Sequence, residues 1–171
     1  MTRAQFTLPD AEPSQRKLAR TIQLDGSDLN VFDNAADADE WAVSGAFAFS
    51  NWSEEMIAGK ARQAFANGWM GLESFGRSTF VAVARIEDAE YEAQIERLAQ
   101  HFVEVYGAPD LAAARPAARE ELAFMAELCD EHDPNTLLIV ERSLTEAGVK
   151  EGFRAIKPAE AELEAFAVHG D

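Results

Sequence analysis

A single cysteine, Cys129, leaves the chain no partner for an internal disulfide. The start of the chain lacks the apolar stretch of about 7 to 15 residues that a secretory signal requires. Its longest apolar runs, such as Phe80 to Ala84 and Leu137 to Val140, fall far short of the about 20 residues that cross a bilayer. A cytoplasmic location without a membrane segment is therefore expected. Bases are scarce as well: 15 Lys and Arg stand against 31 Asp and Glu, a formal charge of −16. A field of that sign repels phosphate backbones and anionic lipid head groups, so no nucleic acid and no membrane is expected as a partner. Excess acid serves solubility first, and it leaves a basic protein partner open.

Complete catalytic patterns are missing too. Gly59-Lys60 lacks the preceding Gly and the following Ser or Thr of a phosphate-binding loop. Gly71-Leu72-Glu73-Ser74-Phe75-Gly76 resembles a nucleophile elbow, but its first Gly comes one residue too early and it leads into a strand instead of leaving one. Ser14 and Lys17 have the spacing of some acyl-transfer enzymes in a polar stretch with nothing rigid to hold them. Asp33, Asp37 and Asp39 lack the pivotal Gly and distal Glu of a calcium loop.

The histidines offer little more. His101 and Glu104 fall on the watery flank of a helix, and His169 is two residues from the end of the sequence. Cys129 and His132 are close enough to reach one metal ion, but two ligands do not make a site. The simpler reading packs Cys129 as a small apolar residue and sets His132 at a helix C-terminus. No metal site and no cofactor is expected.

What is present is apolar material, 47% of 171 residues, enough for one core. Residues 1–18 mix Pro9, Pro13 and charges without a period and read as a flexible arm. Residues 19–157 read as one α+β domain, and 158–171 as an acidic tail able to form a short helix. Thr21 to Asp25 and Leu29 to Asp33 read as a hairpin about Gly26-Ser27-Asp28, and Trp41 to Ser50 alternates large and small side chains as a central strand.

Ser53 reads as the N-cap of a helix that Gly68 ends, with Trp52 stapled onto Ile57. Thr79 to Glu87 is a further strand. Asp88 to Gly107 is the best-patterned helix, and Asp110 to Glu131 is helical with a break expected at Pro116. Leu137 to Leu144 and Val149 to Lys157 form a closing hairpin, with Gly148 at a positive φ. The order β-β-β-α-β-α-α-β-β predicts a largely antiparallel sheet of about six strands with helices mainly on one face.

The segment Trp69 to Thr79 carries Trp69, Met70, Leu72 and Phe75 and is too apolar for a free loop. Glu73, Ser74 and Arg77 add polar groups, and Lys60 is a further cation, so these residues are the candidate ligand or partner site. The plainer alternative is that the aromatics close a sheet edge while Arg77 pairs with Glu73 or another acid. Glu40 to Phe49, Gly59 to Phe65 and Gly71 to Gly76 resemble a proteobacterial domain-of-unknown-function family of small acidic proteins, over about residues 18–156. That resemblance implies a bacterial cytoplasmic protein and brings no catalytic residues with it. The leading expectation is a non-catalytic accessory protein that binds another protein. The alternative is a small-molecule-binding protein or small enzyme, with Glu73 as acid or base and Ser74, Arg77 and Lys60 as donors.

Overall fold

Alternating apolar residues become strands in a computed structural model that describes residues 16–23 and 31–156. In chain order these are β1 (Lys17–Ile22), β2 (Trp41–Val43), 3-10 turns at Ala46–Phe49 and Glu54–Met56, α1 (Gly59–Asn67), β3 (Trp69–Gly71) and β4 (Arg77–Ser78). There follow β5 (Phe80–Arg85), α2 (Asp88–Tyr106), α3 (Leu111–Asp130), β6 (Leu137–Thr145) and β7 (Gly148–Ile156). The strands form one seven-stranded sheet in the order β4-β3-β2-β1-β5-β6-β7, antiparallel at every step. The fold is α+β, with one strand more than predicted, and the sheet is curled into a half-barrel.

Two rings demonstrate the curl. In a flat sheet β3 and β7, five positions apart, would be separated by about 24 Å. Trp69 of β3 and Phe153 of β7 instead lie with ring centroids 5.6 Å apart. Phe124 of α3 is 5.6 Å from the same Phe153 ring. α3 packs on β1 and β2, and α2 packs on α3. Alternation along β5 and β6 divides the apolar residues between the two faces of the sheet. Val81, Val83, Leu138 and Val140 join the main core with Leu98, Leu122 and Met125. Phe80, Leu137 and Ile139 form a smaller cluster with Ile156.

Several local expectations change. The strand expected from Trp41 to Ser50 stops at Val43, and Gly45 at φ 77° turns the chain into the first 3-10 turn. A Cβ on Gly45 would lie 2.6 Å from Met70 Cβ and 2.7 Å from Arg77 Nη1, so the strand gives way to a close packing contact. Ser53 precedes only a 3-10 turn, and Trp52 meets Phe49 edge to face with centroids 4.8 Å apart. α1 starts at Gly59 and does end at Gly68. α3 runs unbroken through Pro116, because Pro in the second turn costs one early hydrogen bond and its φ suits a helix. Asp110 caps α3, accepting from the Ala113 N–H at 2.8 Å.

The first expected hairpin is replaced. β1 begins inside the predicted arm, at Lys17, and pairs with β2 and β5, while residues 31–33 are not a strand. The rest of that hairpin, residues 24–30, lies outside the described residues, as do the remainder of the arm and the tail at 158–171. The closing hairpin forms as predicted, with Gly148 at φ 112°.

Two glycines at similar dihedrals separate backbone strain from crowding. Gly107 ends α2 at φ 78° with nothing within 4 Å of a Cβ, so Gly107→Ala is expected to cost about 1 kcal/mol in urea denaturation. Gly45→Ala adds collisions with Met70 and Arg77 to the same strain and is expected to cost about 3 kcal/mol or more.

Candidate ligand cleft

The alternation that puts Leu138 and Val140 in the core puts Arg142 on the same face of β6. A charged side chain there must find its partners inside, and Arg142 does so across the mouth of the half-barrel. Its Nη1 donates to the carbonyls of Phe65 and Gly68, both at 2.9 Å, and its Nη2 to the Ser44 carbonyl at 2.5 Å. Nε donates to Glu151 Oε2 at 2.8 Å, and the Ser44 hydroxyl donates to the same carboxylate. Burial pulls the guanidinium's pKa down, and Glu151 opposes the shift. Arg142 therefore ties β6 and β7 to the end of β2 and to the C-terminus of α1.

Arg77 lies beside it. Nη1 donates to Gly68 O at 3.1 Å and to Ser44 O at 3.5 Å, and Nη2 donates to Gly45 O at 3.1 Å. The residue is 7% exposed, and its guanidinium sits 4.7 Å from the centroid of the Phe49 ring. Among the described residues no carboxylate comes within 4 Å of it, so the expected pairing with Glu73 or another acid does not form there. Burial first, and the neighbouring Arg142 second, bring its pKa down to about 9, which still leaves it charged at neutral pH.

The turn between β3 and β4 is organised by Glu40, 1% exposed. Its Oε1 accepts from the Glu73 and Ser74 N–H groups at 2.9 and 2.8 Å, and its Oε2 accepts from the Asp37 N–H at 2.7 Å and the Ser74 hydroxyl at 2.6 Å. Four donors satisfy a buried carboxylate that would otherwise be costly. The Ser74 hydroxyl also accepts from the Gly76 N–H at 3.0 Å, so both of its roles are taken. The clamp holds Phe75 at φ 57°, an unfavourable region for a bulky residue. Its ring stacks on His101 with centroids 3.7 Å apart.

These pieces surround a cleft of about 590 Å³ formed by the first 3-10 turn, α1, the β3–β4 turn and the end of α2. Phe49, Trp52, Phe75, Val105 and Tyr106 supply apolar walls, and Lys60, Ser74, Arg77 and His101 supply polar groups. Three of the five candidate residues thus line one cavity. Lys60 is exposed and 3.9 Å from Asp33. Glu73 is exposed and outside the lining, with its N–H held by Glu40. Trp69 is fully buried in the core, and its Nε1 finds no acceptor among the described residues.

Sequence reasoning missed Glu40, Arg142 and Glu151, although the parity of Arg142 with Leu138 and Val140 was a signal. It also placed His101 in water, where the structure half-buries it against Phe75 and Tyr106. Cys129 is fully buried, and burial pushes its thiol up to about 12, so the thiolate that a metal or an electrophile needs is suppressed. Among the described residues no three His, Cys, Asp or Glu side chains cluster as a metal site, and no helix is long and apolar enough to cross a membrane.

Residues 16–171 match a family of unknown function, DUF6505. The chain belongs to that family. The match reaches past the predicted resemblance at both ends and includes every residue of the cleft. No curated protein and no solved structure matches the chain.

Three outcomes follow from this geometry. Arg142→Met takes the cation from Glu151, a donor from the Ser44 and Gly68 carbonyls and the side-chain donor of the Phe65 carbonyl, and is expected to cost about 3 to 5 kcal/mol in chemical denaturation. Cys129 is expected to resist a thiol-disulfide reagent at pH 8 until urea unfolds the chain. Burial lowers the His101 pKa below its ordinary 6.5. As pH falls through 6.5 the unfolded chain takes up the proton before the folded one, so stability drops on the acid side and is unaffected above. His101→Phe keeps a ring on Phe75, and the loss of urea midpoint between pH 7.5 and 5.5 should be smaller in that variant than in the unaltered protein.

Proposed function

We propose that this chain is a non-catalytic binding protein for a small molecule, received in the cleft beside Arg77. The observation that carries the reading is the convergence of Lys60, Ser74 and Arg77, from three separate elements, on one aromatic-walled cavity. Its size falls within the about 300 to 1,000 Å³ of ordinary ligand sites. Rigid support favours binding as well, because Glu40 and Arg142 hold its walls through buried, charge-assisted hydrogen bonds. Binding is favoured over catalysis by the fate of the polar groups: the Ser74 hydroxyl is committed on both sides, and the exposed Glu73 is not part of the cavity lining.

An accessory role toward a protein partner is the second reading. It is favoured by Val105 and Tyr106, which are large, exposed and set at the mouth of the cleft. In that arrangement a partner docks over the mouth and senses whether the cleft is filled.

The test is an NMR fragment titration of the protein. Hits are expected to shift amide signals of Phe49, Trp52, Ala61, Phe75 and Val105 together, and to lose binding in Ala61→Trp, which plugs the cavity from α1. Hits confined to other surfaces, or binding that survives the plug, would sink the proposal.

A further inference from the structure

We infer that the ligand is an organic carboxylate with an apolar or aromatic body, its charged end neutralising Arg77 and its body lying against Phe49, Trp52 and Phe75. The inference rests on the reading of the cleft as a small-molecule site and adds the chemical class.

The argument starts from a charge count. Arg77 and Arg142 are both buried, share the carbonyls of Ser44 and Gly68, and among the described residues have one carboxylate between them, Glu151. That carboxylate is engaged by Arg142 and the Ser44 hydroxyl. Among the described residues Arg77 is therefore left without a carboxylate in direct contact, its charge offset by carbonyl dipoles, the Phe49 ring and, from farther off, Glu151 and Tyr106. Uncompensated buried charge is costly, and folded proteins retain it mainly where something else supplies the counter-charge.

The surroundings point to the same counter-charge. On a chain with a formal charge of −16, the cleft lining holds two cations, Arg77 and Lys60, against a single acid, Asp33, while burial keeps the His101 pKa below 6.5 and its ring neutral. Asp33 lies beside Lys60 on the exposed rim and does not reach Arg77. The lining is thus a positive pocket within a negative surface, which draws a small anion inward. The depression of the Arg77 pKa to about 9 is in the direction that an arriving anion would reverse.

A carboxylate suits the donors better than a polyanion. Guanidinium and carboxylate match in shape and in unit charge. A phosphate carries more charge and more acceptors than one buried guanidinium and one exposed ammonium satisfy. The walls are largely aromatic and reward an apolar body with burial and stacking.

The experiment compares matched acid and amide pairs, phenylacetate with phenylacetamide and hexanoate with hexanamide, by NMR titration and calorimetry on the unaltered protein, with inorganic phosphate as a third probe. At least one acid is expected to bind in the cleft about tenfold or more tighter than its amide, the loss of one charge-assisted contact. Phosphate is expected to bind more weakly than that acid. Arg77→Gln should abolish the preference for the acid over its amide. Because the acid and amide comparison needs no variant, a misfolded Arg77→Gln does not blunt the test. Equal binding of acid and amide, or tighter binding of phosphate, overturns the carboxylate inference and leaves the cleft reading standing. Failure of all five probes to enter the cleft overturns both.

Discussion

The closure of the half-barrel depends on one side chain. Arg142 leaves β6 on its apolar face and gathers carbonyls from Ser44, Phe65 and Gly68, while Glu151 from the adjoining strand fixes its Nε. Besides it, the closure between β3 and β7 has the Trp69, Phe153 and Phe124 rings and the hydrogen bonds from Ser44 to Glu151 and from Asn67 to the Val140 carbonyl. Apolar contacts are non-directional and set how much surface is buried, whereas a guanidinium with all its donors directed sets which backbone atoms meet. The surface pairs that join α2 to α3, Arg115 with Glu96 and Arg119 with Glu92, are bidentate but solvated, and contribute far less to that choice.

The polar interior forms two supports around one cavity. Arg142 and Arg77 bind the backbone where β2 ends and β3 begins. Glu40 binds the backbone where β3 turns into β4. Between them lie Gly45, Gly68 and Gly71, each so close to Arg77 or Glu40 that an added Cβ would collide or crowd. The small residues are thus explained by the charged ones. The left-handed backbone at Phe75 is explained in turn by the clamp beneath it and the His101 ring above it.

Much of the fold was legible because it obeys local periods. α2 and the stripe Ala114, Ala118, Leu122, Met125 and Cys129 recur at three and four residues, and β6 and β7 flank a turn with glycine where φ must be positive. Residues 44–50 misled because alternation of Phe and Ala describes a strand and also a tight 3-10 turn that buries one ring in each direction. What local pattern could not show is the close approach of Arg77, more than thirty residues away, and Met70 to Gly45, where the chain turns at a positive φ. The site was legible as a segment and illegible as a set of roles. Glu73 and Ser74 looked like the chemical groups, but both serve through their N–H groups as donors to Glu40, a residue that sequence alone shows only as one acid among 31.

The two arginines connect the cleft to the closure of the sheet. Because they share the carbonyls of Ser44 and Gly68, the position of either guanidinium constrains the other, and their mutual repulsion is present whenever the cleft is empty. In the proposed reading, a counter-charge beside Arg77 would remove part of that repulsion without touching the Arg142 network, so filling the cleft would also strengthen the closure. Such a coupling would be reciprocal: a chain in which the mouth of the half-barrel is better held would present Arg77 with less freedom and receive the proposed ligand at a smaller ordering cost. Buried like charges otherwise look like a flaw in so small a protein, and the proposed binding would give them a consistent physical purpose.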